Sequence, residues 1–386
     1  GDLLMPLAAG EADAVLGSRM MTQGSALRGG MPLYKYVGNK ILSWFENRCL
    51  RTNLTEFHSG YRVYSVAALE KLRFDLNSND FHFDTEIIIQ LVIAKLRIVE
   101  RPIPTYYGDE ICHVNGLAYA MNVVKAVLLA RAQELSLFYE RKFDCAPTGA
   151  DNSHYGIKHD FASPHSLAYD AVPRQSKVLD LGCAGGDNGH RLREEKQCHV
   201  TGVDMFALRD GVTLDVFHQA DLNNLPLPVQ LQDYDYVLML DVVEHLMSPE
   251  RFIDYLRVAA EANGQTRFIV STGNVGFIIT RLMLLLGQFN YGKQGILDLT
   301  HTRLFTFAAM RRLFVQAGFE EERCVGVPAP FPMVMNNALG RFAFAVNKVL
   351  MSVSKGLFAY QSFMVFRPNP SLRILLQNAT DASAER

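Results

Sequence analysis

Residues 177–186 read Lys-Val-Leu-Asp-Leu-Gly-Cys-Ala-Gly-Gly, and this stretch decides the fold. An apolar run ends in an acid, and glycines follow where a strand must turn sharply into a helix. Gly182, Gly185 and Gly186 have no Cβ to hold the backbone away from a ligand, so the turn can approach one closely. Eighteen residues past Gly186, the run His199-Val-Thr-Gly-Val ends in a second acid, Asp204. An acid closing the second strand of such a unit commonly takes a ribose hydroxyl pair. The segment reads as the start of a Rossmann-like nucleotide site.

Outward from this loop the second half of the chain alternates strand and helix signals. Strands are expected at Val178–Leu181, Val200–Asp204, Val216–Ala220, Tyr234–Leu240, Arg267–Ser271, Glu322–Val327 and Phe363–Arg367. Helices fall near Asn188–Lys196, at Ser248–Ala262 with a Ser-Pro start, and at Phe307–Ala317 before Gly318. Strands alternating with helices imply a mainly parallel, doubly wound α/β sheet. Residues 144–165 are polar, turn-rich and without period, which marks a linker. The first half is less regular. It has a short strand at Ala14–Leu16, helical periods over Leu33–Leu50 and Thr85–Ala94, and an extended run Leu96–Pro102. An amphipathic helix follows at Leu117–Tyr139, with Leu117, Met121, Val124, Leu128, Leu135 and Phe138 on one face.

Composition narrows the function classes. The 386 residues suffice for two domains, and 49% hydrophobic with 20% charged residues suits folded cores. A net charge of −2 gives no electrostatic case for nucleic acid as a partner. Cysteines at 49, 112, 145, 183, 198 and 324 lack CxxC spacing, and no signal-peptide-like start precedes them. Free thiols in a reducing cytoplasm are expected, with no metal site built from them. No charge-free apolar stretch reaches the roughly 18 residues of a membrane span. Val325–Gly340 comes nearest and carries three prolines and two asparagines.

The loop at 177–186, Asp204, Ala-Asp-Leu-Asn-Asn-Leu-Pro-Leu at 220–227 and Leu-Asp-Val-Val-Glu-His-Leu at 240–246 together resemble class I S-adenosylmethionine-dependent methyltransferases. The likeness runs over roughly residues 155–330, with Ala184 where many members have the loop's second glycine. It implies that Gly182 and Gly186 let backbone approach the methionine part of the cofactor, with Asp180 orienting the loop and Cys183 and Ala184 within it. It further implies Asp204 on the ribose hydroxyls beside Met205, Asp221 with Leu222 at the adenine amino group, and Asp241 at the next strand end. A dehydrogenase using NAD is the rival reading, disfavoured because no pyrophosphate-cradling GxGxxG is present.

An oxygen nucleophile needs a base, and histidine suits neutral pH. His245 follows the fourth strand at the carboxyl edge, where it is either a base or, with Glu244, a residue that caps the next helix or packs beside it. A second cluster, Phe289 to Arg303, lies between the Arg267–Ser271 strand and the Phe307 helix. The resemblance places it over the active site, where Asp298, His301, Arg303 and Tyr291 would serve as base or acceptor contacts. The other reading is a loop packed by its own hydrogen bonds. At 337–358, Arg341, Lys348 and Lys355 recur every seven residues beside a wide apolar arc. That pattern suits an interfacial helix on anionic lipid, or a lid helix packed on the domain with solvated cations.

In the first half, Gly10–Arg19, Glu56–Tyr64 (Glu-Phe-His-Ser-Gly-Tyr-Arg-Val-Tyr), Phe83–Gln90 and Arg97–Gly108 are similar to the later part of family 2 glycosyltransferases, polyprenyl-phosphate sugar synthases among them. The resemblance implies Arg19 and Arg62 facing phosphate groups through guanidinium forks. It implies Glu56 as an acceptor-loop acid or base, and Glu86 on a helix beside the acceptor. The family's nucleotide-binding strands and metal-binding D-x-D are missing, so a divalent metal, magnesium or manganese, is expected only in an intact domain. Truncation of a longer protein is the expected explanation.

The expected organisation is a partial GT-A-like domain at 1–143, a linker at 144–165, a Rossmann-like methyltransferase domain at 166–370 with a helical insertion at 329–358, and a tail at 371–386. The expected activity is methyl transfer to a small-molecule, glycan or lipid-linked acceptor, in the cytoplasm or peripherally at the inner face of the membrane. Two other classes stay open. One is a module holding the cofactor without turnover; the other is a peripheral membrane assembly factor docking through residues 117–139 and 337–358.

Overall fold

A computed structural model of the chain describes residues 1–107, 115–134, 138–145, 163–260, 264–330 and 338–370. Cys112, Leu135, Asn337, the tail at 371–386 and most of the linker lie outside the described residues. Two compact units are present: residues 1–151 with 290–292, and residues 152–289 with 293–386.

The second unit is built on seven strands in the order β6-β5-β4-β7-β8-β10-β9. They are β4 (Lys177–Leu181), β5 (His199–Asp204), β6 (Val216–Gln219), β7 (Tyr236–Leu240), β8 (Arg267–Gly273), β9 (Phe319–Val327) and β10 (Gln361–Pro368). The first five run parallel, and β10 is antiparallel to both β8 and β9. The sheet is therefore mainly parallel, as expected.

Period-two alternation explains why β4 and β7 read as nearly continuous apolar runs. Leu179, Leu181, Val237 and Met239 enter one core with the Pro249–Ala259 and Phe307–Gln316 helices. Val178, Leu238 and Leu240 enter a second core with Ala168 and Leu192 on the other face. A parallel strand covered on both faces has no polar side to show. Near the antiparallel end, Phe314 stacks on Phe366 at 4.3 Å and meets Phe319 edge-on at 5.4 Å.

Two helices of this unit lie outside the expected set, Pro164–Ala171 with a Ser163 capping box and Ile278–Leu285. The Ala338–Val353 helix is anchored by Asn347, which donates to Phe358 O at 2.8 Å and accepts from Ala329 N at 3.2 Å. Lys355 is exposed, and its Nζ also donates to Cys324 O at 2.8 Å. No described helix is long and apolar enough to cross a membrane.

The first unit holds a three-stranded sheet with β1 (Ala14–Ser18) central, β2 (Arg62–Tyr64) antiparallel to it and β3 (Ile98–Pro102) parallel. Helices Leu33–Leu50, Phe83–Ile93 and Gly116–Glu134 accompany it. The last of these corrects a sequence expectation. Its buried residues are Val123, Ala126, Val127 and Ala130, whereas Leu117, Met121 and Leu128 are exposed. Small side chains let this helix approach its neighbours closely, so the larger apolar stripe is left on the outer face.

Phe314→Ala should cost about 3–5 kcal/mol, because a fully buried ring contacting two others leaves a cavity that the sheet cannot collapse into. Urea unfolding of the variant measures it; a loss below about 1 kcal/mol would mean the aromatic cluster is not packed as described.

Candidate active site

The loop after β4 makes three left-handed turns in five residues: Gly182 at φ 72°, Ala184 at φ 48° and Gly186 at φ 81°. Gly182 N donates to Val203 O at 2.8 Å and Gly186 N to Cys183 O at 2.8 Å. A Cβ on Gly182 would sit 2.5 Å from Val242 Cγ2, so bulk as well as backbone demands glycine there. Asp204, at the end of β5 and almost fully buried, accepts from Ala184 N at 2.7 Å and from Phe206 N at 2.8 Å. One carboxylate thus ties the loop after β4 to the loop after β5.

Asp180 lies beneath this loop. Burial and then the nearby Asp204 push its carboxyl up to about 7. The buried Cys183 thiol is raised by burial first, then by Asp180 and Asp204, and is held as a neutral packing group. Asp221 accepts from Asn223 N at 2.9 Å and Asn223 Nδ2 at 3.0 Å, with Leu222 buried beside it. Met205 is exposed, and its carbonyl accepts from Gln219 Nε2 at 3.0 Å. Asp241, at φ 56°, accepts from Ser271 Oγ and Gln361 Nε2, both at 2.8 Å. Ser271 and Gln361 were not identified from sequence, since they come from β8 and from a strand 120 residues away.

The two histidine segments come together. Glu244 O accepts from Thr302 N at 2.8 Å and from Arg303 N at 3.1 Å, and Thr302 Oγ1 donates to Leu246 O at 2.6 Å. These bonds hold the 296–303 loop against the end of β7, and the His245 and His301 rings meet edge-on at 4.8 Å. His245 does not cap the following helix; its Nδ1 lies 3.3 Å from both Thr300 O and Thr300 Oγ1. Asp298, buried, accepts from Thr300 N at 2.8 Å and Thr300 Oγ1 at 2.7 Å, which shapes the loop. Arg303 is exposed with Glu250 3.8 Å away. Tyr291 falls in the 290–292 stretch grouped with the first unit.

Burial, and secondarily His245, lowers the pKa of His301. His301 Nδ1 lies 3.0 Å from Ile296 O, which can only accept, so Nδ1 carries the proton and Nε2 keeps its lone pair. Glu244 itself passed unnoticed in the sequence as a chemical group. It is buried, its Oε2 has no hydrogen-bond partner, and burial followed by Asp241 holds its carboxyl well above the ordinary glutamate range.

In the first unit the expected phosphate ligands are engaged within the fold. Arg19 Nε donates to Glu56 Oε1 at 2.9 Å, and Arg19 N donates to Glu56 Oε2 at 2.7 Å. Asn39 Nδ2 adds a further bond to the buried Glu56 at 2.8 Å. Arg62 donates to Ser59 O and Asp84 O, both at 2.7 Å, and lies 3.2 Å from Asp84 Oδ2. Glu86 accepts from Ser78 N and Lys142 Nζ, both at 2.7 Å. Among the described residues no group of three His, Cys, Asp or Glu is placed to hold a metal ion.

Residues 155–322 match the family model of a methyltransferase domain. Two curated relatives come from Haloferax volcanii. The low-salt glycan biosynthesis hexosyltransferase Agl6 is 38% identical over 28% of this chain and 25% of its own, and the glycosyltransferase AglD is 30% identical over 26% and 16%. The chain spans a quarter or less of the length of these relatives. Among solved structures, magnesium protoporphyrin IX methyltransferase from Synechocystis PCC 6803 with bound SAH is 17% identical, covering 53% of this chain and 80% of its own at a TM-score of 0.34.

Two outcomes follow from this geometry. Gly211 has φ 81° and open space around an added Cβ, so Gly211→Ala should cost only the backbone term of about 1–2 kcal/mol. Gly182→Ala should cost measurably more in the same thermal melts, because Val242 must also move. A carboxyl raised in the folded state contributes stability below the ordinary glutamate range that is lost as pH rises through its folded pKa. Urea unfolding at pH 5 and pH 9 should therefore show less alkaline loss for Glu244→Gln than for the unchanged chain. Equal losses would mean that Glu244 does not retain its proton on folding.

Proposed function

We propose that the second unit binds S-adenosylmethionine across the carboxyl ends of β4, β5 and β7 and methylates an oxygen nucleophile on a glycan or lipid-linked acceptor. The observation that carries this reading is the left-handed loop 182–186 closed onto Asp204. Each Asp204 oxygen accepts one amide and keeps capacity for one more bond, which suits the two hydroxyls of a ribose. The backbone at Gly182, Cys183, Ala184 and Gly186 would lie along the methionine part, with Met205 beside the ribose and Asp221 and Leu222 at the adenine. Asp241, with Ser271 and Gln361 on its two oxygens, would fix the floor of the site.

When bound, the cofactor supplies an electrophilic methyl group on a sulfonium that is already a good leaving group. The protein's share is to hold the nucleophile at near-attack distance and to take its proton. His301 suits the second task, since it stays neutral to lower pH than an ordinary histidine and its Nε2 lone pair is unprotonated. His245 would orient it through the edge-on ring contact, and Arg303 would meet the acceptor. The glycan-related acceptor is supported by the names of the relatives alone. The first unit is read as part of a family 2 glycosyltransferase; with Arg19 and Arg62 committed to the fold, no sugar transfer is expected from this chain by itself.

Isothermal titration with S-adenosylhomocysteine tests the site. Saturable binding is expected, weakened at least about tenfold by Asp204→Ala through loss of charge-assisted bonds. No binding would sink the proposal, and binding without turnover on any host glycan or lipid intermediate would reduce it to a cofactor-holding module. Once an acceptor is found, the acid limb of kcat/KM should lie below about 6.5, the ordinary histidine value. His301→Ala should lower kcat about 10²–10⁴-fold; an unchanged rate would remove His301 as the base.

A further inference from the structure

Two helices of the second unit leave their larger apolar side chains uncovered. On Ile278–Leu285 and the residue after it, Leu284, Leu285 and Leu286 are 59%, 81% and 78% exposed. On Ala338–Val353, Phe342, Val349 and Val353 are 66%, 67% and 78% exposed, on the side away from the buried Asn347 anchor. The segment leading into the first helix is tied to the residues that follow the second. Asn274, four residues before Ile278, donates to Gly356 O at 3.1 Å and Ala359 O at 2.8 Å, just past the end of the second helix. Scattered exposed leucines are ordinary on a soluble protein, but large apolar side chains left in solvent along two helices of one unit mark a contact surface.

Charge identifies what covers them. Neither residues 262–297 nor 323–380 contain a single Asp or Glu, in a chain that carries 40 acids and a net charge of −2. The same segments hold Arg281, Lys293, Arg341 and Lys348, and Lys348 Nζ sits 4.9 Å from the Phe344 ring centre. A protein partner with an apolar patch would not require both segments to exclude acids. An anionic bilayer would, because every carboxylate near its surface is repelled while lysine and arginine heads reach its phosphates. We infer that this pair of helices docks the second unit on an anionic lipid surface, with its leucines and aromatics inserted at the headgroup boundary. The inference depends on neither cofactor binding nor methyl transfer, so it stands or falls separately from the reading above.

Flotation of the full chain with vesicles tests it. Co-flotation is expected with phosphatidylcholine containing about a third phosphatidylglycerol, falling with added salt, and little with phosphatidylcholine alone. Paired Leu285→Glu and Leu286→Glu changes, and separately Val349→Glu with Val353→Glu, should each cut the bound fraction at least about tenfold. Val258→Glu, at an equally exposed position on the Pro249–Ala259 helix, should leave it unchanged. These sites are exposed, so melting temperatures near that of the unchanged chain confirm that the variants fold. Absence of co-flotation, or binding indifferent to both paired variants, overturns the inference. So does a dimer in light scattering that the paired variants dissociate while vesicles bind nothing, which would make the face a contact between copies.

Discussion

The bond from the Ala184 amide to Asp204 is the constraint on which the second unit depends. It spans the ends of two neighbouring strands and holds a backbone that an ordinary residue adopts only at a cost. It also places a nearly dry carboxylate close to Asp180, and two charges there would repel in a medium that screens them poorly. The protein resolves this unequally. Asp204 takes two amides, while Asp180, deeper and without such help, is pushed up to about 7. The proton that Asp180 keeps into the neutral range removes one of the two like charges from beneath the loop.

A second join works by backbone alone. The Glu244 carbonyl accepts two amides from the 302–303 segment, and this brings histidines 56 positions apart in sequence into ring contact. Their closeness has an electrostatic consequence, because a charge on His245 opposes a proton on His301. Burial of His301 acts in the same direction. The buried Glu244 carboxyl adds no opposing charge while it holds its own proton.

How far all this was legible in the sequence depends on the range of the interaction. The 177–186 loop could be read because a strand, a left-handed turn and a helix start are encoded by adjacent residues. The parallel strands could be read because burial on both faces leaves uninterrupted apolar runs. The outward face of the Gly116–Glu134 helix was misjudged for a physical reason: the largest side chains marked a stripe, but the small ones made the contact. Ser271 and Gln361 had no local signature at all. Their roles exist only once the strand order β7-β8-β10 sets them around Asp241.

The first unit shows the same limit from the other side. Arg19 and Glu56 were each singled out for chemistry on separate motifs, yet the fold pairs them with each other. A buried glutamate that receives a backbone amide, a guanidinium and an asparagine has its charge fully compensated, so withdrawing Arg19 toward a phosphate would leave Glu56 poorly satisfied. Any ligand that recruits Arg19 must therefore supply more than one charge-assisted bond in return. In this fold the arginine is a structural clamp on the buried glutamate.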